Sequence, residues 1–82
     1  MTATIQHSSA SAQRARLLTR LQLVPVDTLT ARSELNILMP AARIKELKER
    51  GHHIRTQSIS MIDDQGRTHH GIALYYLTQT GE

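Results

Sequence analysis

Apolar residues in the first half of the chain recur at the three- and four-residue spacing of amphipathic helices. The first such segment predicts a helix near 10–23, which Ser9 or Ser11 would cap and which Pro25 prevents from continuing. Its apolar positions are Ala10, Ala12, Ala15, Leu17, Leu18 and Leu21. Residues 1–8 are small and polar and lack this spacing, which predicts a disordered tail.

Two further helices are predicted, joined by a tight turn. The second spans about 28–36, is capped by Asp27 or Thr28, and ends at Asn36, a residue type that tolerates the left-handed conformation. The third spans about 40–50, opens on a proline where the missing N–H costs nothing, and stops at Gly51. Two short helices joined in this way have the spacing of a helix-turn-helix motif.

The third helix has one apolar and one charged face. Ile44 and Leu47 mark the buried side, and we expect Leu18 of the first helix to be buried together with them. The opposite side is predicted to carry Ala42, Lys45, Glu46 and Glu49. Lys48 and Arg50 lie in the last turn, where the helix dipole favours cations.

The last third of the chain has the composition of a β-hairpin near 53–77. Its two strands are separated by Asp-Asp-Gln-Gly at 63–66, a turn sequence in which Gly66 supplies the positive φ. Ala73, Tyr75 and Leu77 are predicted to face inward, and residues 78–82 to form a tail. Before the second helix, Val24 and Val26 predict only a short extended piece.

Composition narrows the class of protein. The 82 residues suffice for one small domain, and with two Tyr, no Phe and no Trp its core must be largely aliphatic. The absence of Cys excludes disulfides and thiolate metal sites. Without a long apolar run or a recognisable signal peptide, a cytoplasmic protein with no membrane span is the expectation. The formal net charge of +3 permits nucleic-acid binding without demanding it.

Five segments together resemble a known family. They are Arg16 to Leu18, Asp27 to Ala31, Pro40 to Leu47, Gly51 to Ile54 and Ala73 to Tyr75. The chain resembles, over roughly Arg14 to Leu77, the small winged helix-turn-helix proteins common in phages, prophages and other mobile elements of bacteria. The resemblance implies an α+β domain, here residues 9–77, in which three helices are followed by a two-stranded β-hairpin wing. It also implies binding to double-stranded DNA.

The start of the third helix carries the first candidate contacts, because this part of a helix-turn-helix reaches base edges. Arg43 and Lys45 are predicted to bind a base or a phosphate, since Arg bonds guanine bidentately and Lys contacts guanine or phosphate. Ala41 and Ala42 allow close approach of the backbone, and a methyl group can touch thymine. A solvated charged face and good helix propensity are the plainer interpretations.

The wing and the second helix supply further candidates. Arg67 follows the turn, where its side chain can reach a phosphate or the minor groove, and Arg55 and His69 belong to the same hairpin. Thr28 and Thr30 can donate to a phosphate from the start of the second helix. Turn solubility and helix capping explain these residues almost equally well.

Two glutamates of the third helix count against DNA contact, because phosphates repel carboxylates. Glu46 is predicted to pair with Arg50, and Glu49 with Lys45, although Glu46 can also accept from a cytosine amine. The predicted function is sequence-specific binding of double-stranded DNA by a mobile-element-encoded transcriptional regulator or accessory factor. The alternative is a protein–protein interaction module on the same fold, and a protein partner or a homodimer stays open.

Catalysis and metal binding find little support in the sequence. No Ser lies in a Gly-x-Ser-x-Gly turn, no Gly-rich phosphate loop is present, and a small core leaves no room for a deep substrate pocket. The histidine pairs at 52–53 and 69–70 are predicted to lie on the order of 20 Å apart along the hairpin, at about 3.3 Å per residue. No enzymatic activity, metal ion, cofactor or small-molecule substrate is therefore expected.

Overall fold

The computed structural model describes residues 9–78. Three helices and three strands follow one another along the chain, as α1 (Ala10–Leu21), β1 (Val26–Asp27), α2 (Thr28–Ser33), α3 (Pro40–Glu49), β2 (Ile54–Ile62) and β3 (Thr68–Leu77). The predicted α+β class with three helices is confirmed. The tail predicted at 1–8 and most of that predicted at 78–82 lie outside the described residues.

Local sequence signals set the ends of the helices. Ser9 caps α1 by accepting a backbone hydrogen bond at 3.1 Å, and Asp27 caps α2 by accepting one at 2.8 Å. Asn36 and Gly51 have φ of +58° and +98°, so both adopt the left-handed conformation predicted for them. The helices α1 and α2 end before the predicted limits of 23 and 36. After α1, the N–H groups of Leu23 and Val24 both donate to the Arg20 carbonyl oxygen, and after α2 the Ile37 N–H donates to that of Ala31, so turns replace the last helical residues.

The predicted two-stranded hairpin is present as β2 and β3, and β1 joins it as a third strand that was not predicted. The order of the strands is β1-β3-β2, with antiparallel pairing throughout. The additional strand aligns Val26 with Tyr75 and Asp27 with Leu74. A strand of two residues has no alternation that a sequence pattern could show, so its pairing is visible only once β3 is placed beside it.

The turn of the hairpin agrees with the prediction. The Asp63 N–H donates to the carbonyl oxygen of Arg67 at 2.8 Å, and the Gly66 N–H donates to that of Asp63 at 3.0 Å. Gly66 has φ of +82°. A type I turn followed by a left-handed glycine is a common hairpin connection, and it fixes the register of the two strands.

The helices and the inner face of the sheet enclose one core. Its buried residues are Leu17, Leu21, Val26, Ala31, Leu35, Ile37, Ile44, Leu47, Ile54 and Tyr75. Leu18 packs against this cluster from α1, as do Ala73 and Leu77 from β3. The predicted inward face of β3 is thus confirmed. Leu18, which was predicted to be buried with Ile44 and Leu47, is only partly buried, and the fully buried residue of α1 is Leu17.

Candidate nucleic-acid interface

Helix α3 is anchored on one side and open on the other. Pro40, Ile44 and Leu47 are buried, and this orients the remaining faces of the helix. The open side carries the exposed Ala41, Lys45, Lys48 and Glu49, with the half-buried Ala42 beside them. The face therefore combines small side chains near its start with lysines further along.

Lys45 and Lys48 lie about one turn apart on this open face. Together with Ala41 they border a shallow groove whose other wall is Thr56 and Tyr75 of the sheet. Within residues 9–78 neither lysine forms an ion pair, so the predicted pair of Lys45 with Glu49 is absent there.

Lys48 was not among the candidate contacts predicted from the sequence. The helix dipole already accounts for a cation in the last turn. The spacing of Lys48 from Lys45 is the signal that points to a shared face, because residues three apart in a helix are neighbours.

Arg43 and Glu46 lie on the flank of α3 that faces α1. The Glu46 carboxylate accepts from Nη1 of Arg14 at 2.8 Å and from Nη2 of Arg43 at 2.9 Å. The Arg43 side chain is only 17% exposed, and its Nε is buried without a partner among the described residues. The prediction that Glu46 belongs to the open face is wrong, because the 3.6-residue period turns this position toward α1.

The predicted ion pair between Glu46 and Arg50 is also wrong. The Arg50 guanidinium donates instead to the backbone carbonyl oxygen of Glu46 at 3.2 Å. The carboxylate accepts hydrogen bonds from Arg14 and Arg43. These bonds hold the pKa of Glu46 below its ordinary value, and the bond from Arg14 has the largest effect. Glu46 is therefore charged at neutral pH and joins the two helices.

The turn of the wing is organised around Asp63. Its Oδ1 accepts from the N–H groups of Gln65 at 2.9 Å and Arg67 at 2.8 Å, and its Oδ2 lies 2.8 Å from Nε2 of His69. These contacts hold the pKa of Asp63 below its ordinary value, and the hydrogen bond with His69 has the largest effect. His69, a predicted DNA contact, thus uses one ring nitrogen to support the turn.

Arg67 is an exposed cation at the tip of the wing. Its side chain is 73% exposed, and its Nε lies 4.0 Å from Oδ2 of Asp63. A hydrogen bond from the guanidinium to the side-chain oxygen of Gln65 also restrains it. A cation at this degree of exposure is available to a phosphate once these contacts within the turn are exchanged.

Arg55 is exposed on β2, but the structure does not place it beside the lysines of α3. Its neighbours along the strand are Ile54, which is buried, and Thr56, which is exposed and borders the groove next to α3. Successive side chains of a strand point to opposite faces of the sheet. Arg55 therefore points away from the face that packs against α3. Arg55 and the open face of α3 would have to meet different parts of a DNA duplex.

The two threonines at the start of α2 are held by local hydrogen bonds. The N–H and the hydroxyl of Thr30 donate to Asp27 at 2.8 Å and 2.6 Å, and the Thr28 hydroxyl donates to the Ala73 carbonyl oxygen at 3.4 Å. Capping and packing thus occupy both hydroxyl groups and the Thr30 N–H, which were predicted to reach a phosphate. Thr30 and His69 do share a groove between α2 and the hairpin.

The hairpin register separates the two histidine pairs as predicted. Ile54, next to His53, aligns with Leu77, whereas His69 aligns with Met61 at the opposite end of the hairpin. Within residues 9–78 no group of three or more His, Asp or Glu side chains is arranged to hold a metal ion. A transmembrane helix of sufficient length and apolarity is also absent from that range.

Comparison with known proteins gave one result. A family model described as a winged helix-turn-helix domain matches residues 12–80, which is most of the chain. No curated protein and no solved structure matches. Winged helix-turn-helix domains are in general DNA-binding modules and typically not enzymes. This match, together with the three helices and the small antiparallel sheet, shows that the chain belongs to the winged helix-turn-helix domain family.

Proposed function

We propose that this protein binds double-stranded DNA sequence-specifically, as a transcriptional regulator or accessory factor encoded by a mobile element. The open face of α3 carries the proposal, because the small Ala41 and Ala42 lie there beside Lys45 and Lys48, neither of which forms an ion pair within residues 9–78. Small side chains let a helix approach base edges, and lysines bind guanine or phosphate. The mobile-element origin rests on the resemblance of the sequence to small phage and prophage proteins.

In the proposed complex the N-terminal half of α3 enters the major groove. Glu49 is the last of the ten residues of α3 and lies about 13.5 Å from Pro40 along the helix axis, at 1.5 Å per residue. Its carboxylate therefore stays at the end of the helix that is further from the bases, and the neighbouring Lys48 contacts a phosphate there and not a base. Arg67 at the wing tip contacts the sugar–phosphate backbone, which fixes the orientation of the domain without reading sequence.

Selection of bound fragments from random duplex DNA, at a stated salt concentration, tests the proposal. We expect one enriched sequence that binds more tightly than a scrambled duplex, with an affinity that falls steeply as salt is raised. Lys48→Ala should weaken this binding. Arg20→Ala also removes one positive charge, but from α1, where Arg20 pairs with Glu34 at 2.9 Å, and it should leave the affinity nearly unchanged.

The competing function is binding to a protein partner, which Glu49 favours because a carboxylate on the open face suits a basic partner. It predicts no enriched duplex and no counterion-release slope. An enriched palindrome would instead indicate a homodimer on DNA, with half-sites one helical turn apart. The selected sequence and its salt dependence therefore separate the two functions.

A further inference from the structure

Two large apolar side chains are exposed where the chain enters α3. Leu38 is 76% exposed and Met39 is 61% exposed, although Ile37 just before them is fully buried. Burying apolar surface of this kind is worth roughly 25 cal/mol per Å². The free protein lacks this stabilising free energy at Leu38 and Met39, and a partner that covers the two side chains would provide it.

The backbone of this segment is held in place from both sides. Nε of Arg32 donates to the Leu38 carbonyl oxygen at 3.2 Å. The N–H groups of Ala42 and Arg43 donate to the Met39 carbonyl oxygen at 3.2 Å and 3.4 Å. The two side chains are thus presented from a fixed position at the start of the helix that faces DNA in the proposed function.

The apolar patch formed by the adjacent Leu38 and Met39 has cations on both sides along the chain. Arg32 of α2 adjoins it through its hydrogen bond to Leu38, and Lys45 follows one turn after Ala41. Between residues 35 and 45 the chain has no Asp or Glu. A patch of this kind is complementary to a surface on which apolar groups are flanked by phosphates.

We infer that Leu38 and Met39 read the C5-methyl groups of thymine in the major groove. The inference rests on the proposed function, and it names the base chemistry that the domain recognises. Thymine presents a methyl group on its major-groove edge, and apolar side chains contact it there. The same group occurs on 5-methylcytosine; thymine is the source in unmodified DNA.

The full chain is first used to select a duplex from an unmodified random library. The thymines of that duplex are then replaced one at a time by uracil, which lacks only the methyl group. We expect affinity to fall about fourfold for each contacted methyl, which corresponds to about 0.8 kcal/mol for one buried carbon. At least two positions should respond, because two large side chains are exposed.

Matched variants assign the effect to the patch. Leu38→Ser and Met39→Gln should each reduce the difference between thymine and uracil duplexes, and the double variant should remove it. Leu23→Ser is the control, because Leu23 is also 76% exposed but lies outside α3, in the connection after α1. It should keep the full difference.

The possible outcomes are distinct. Equal affinity for thymine and uracil duplexes at every position overturns the inference and leaves the proposed function intact. A difference that persists in the double variant also overturns it, because the methyl reader then lies elsewhere. A parallel selection uses a library with 5-methylcytosine, and enrichment only there overturns the assignment to thymine. If no library yields a bound duplex, the proposed function and this inference both fail.

Discussion

At the scale of single residues, Arg43 and Lys45 show how the fold gives two neighbouring cations different surroundings. Helical residues that are two positions apart, such as Arg43 and Lys45, are separated by about 200° around the helix axis, at 3.6 residues per turn. Arg43 consequently faces α1, where it donates to Glu46, whereas Lys45 is exposed on the open face. The sequence-based candidates for DNA contact therefore separate into an inward and an outward cation.

We expect Lys45→Ala to weaken binding to the selected duplex by about 1–3 kcal/mol if this side chain reads a base. The stability of the fold should hardly change, because Lys45 forms no ion pair within residues 9–78. Arg43→Ala should do the reverse and lower stability more than intrinsic affinity. Duplex affinity and urea unfolding of both variants provide the comparison.

Two results would contradict this assignment. If Arg43→Ala loses as much affinity as Lys45→Ala at unchanged stability, Arg43 leaves Glu46 to contact DNA. If both variants remain folded and bind like the wild-type protein, α3 is not the reading element.

At the scale of elements, the junction of α1 and α3 depends on the charge of Glu46. A carboxyl group with a lowered folded pKa contributes stability that is fully present above its unfolded pKa, about 4.3 for Glu. This contribution is lost as the pH falls through the folded pKa. Because Arg14 and Arg43 lower the pKa of Glu46, its charge stabilises the junction at neutral pH.

Glu46→Gln should therefore destabilise the protein at neutral pH, and the difference from the wild-type protein should vanish in acid. Urea unfolding at a series of pH values measures it. Glu49→Gln is the matched control, because Glu49 is exposed in the same helix without an ion pair in the described range. A gap that stays constant with pH would assign the effect to packing and not to ionisation.

The wing is the second element with a separate prediction. Arg67→Ala should weaken cognate and scrambled duplexes by a similar factor, because an exposed arginine at a turn suits phosphate better than a base. The magnitude of the salt slope should fall by about 0.9 for each phosphate that Arg67 neutralises in the wild-type complex. Affinities of both duplexes over a salt series give the result, and a weakening confined to the cognate duplex would show that Arg67 reads sequence.

At the scale of the whole molecule, stability depends on a core drawn from every element. Leu47 is 3% exposed within it, and Leu47→Ala should cost on the order of 2–5 kcal/mol. A small domain has roughly 5–15 kcal/mol in total, so the melting temperature should fall markedly. Leu23→Ala removes the same atoms from an exposed site and should leave it nearly unchanged. An unaltered melting temperature in Leu47→Ala would show that α3 packs through another face.

Features that depend on residues close in sequence were determined by the sequence alone. The left-handed Asn36 and Gly51, the turn closed by Gly66 and the three helices were all predicted. The observed caps, Ser9 and Asp27, were each one of two candidates that the sequence offered. Each involves groups within about one helical turn or one tight turn, where the chemistry of the residue and its neighbours decides the conformation.

The tertiary structure decided what depends on partners distant in sequence. Glu46 binds an arginine 32 positions away, and β1 pairs with a strand near the other end of the chain. The exposure of Leu38 and Met39 belongs to the same class, because it depends on which elements pack around the turn that precedes α3. No local pattern contains these relations, because they arise only when packing of the shared core brings the elements together.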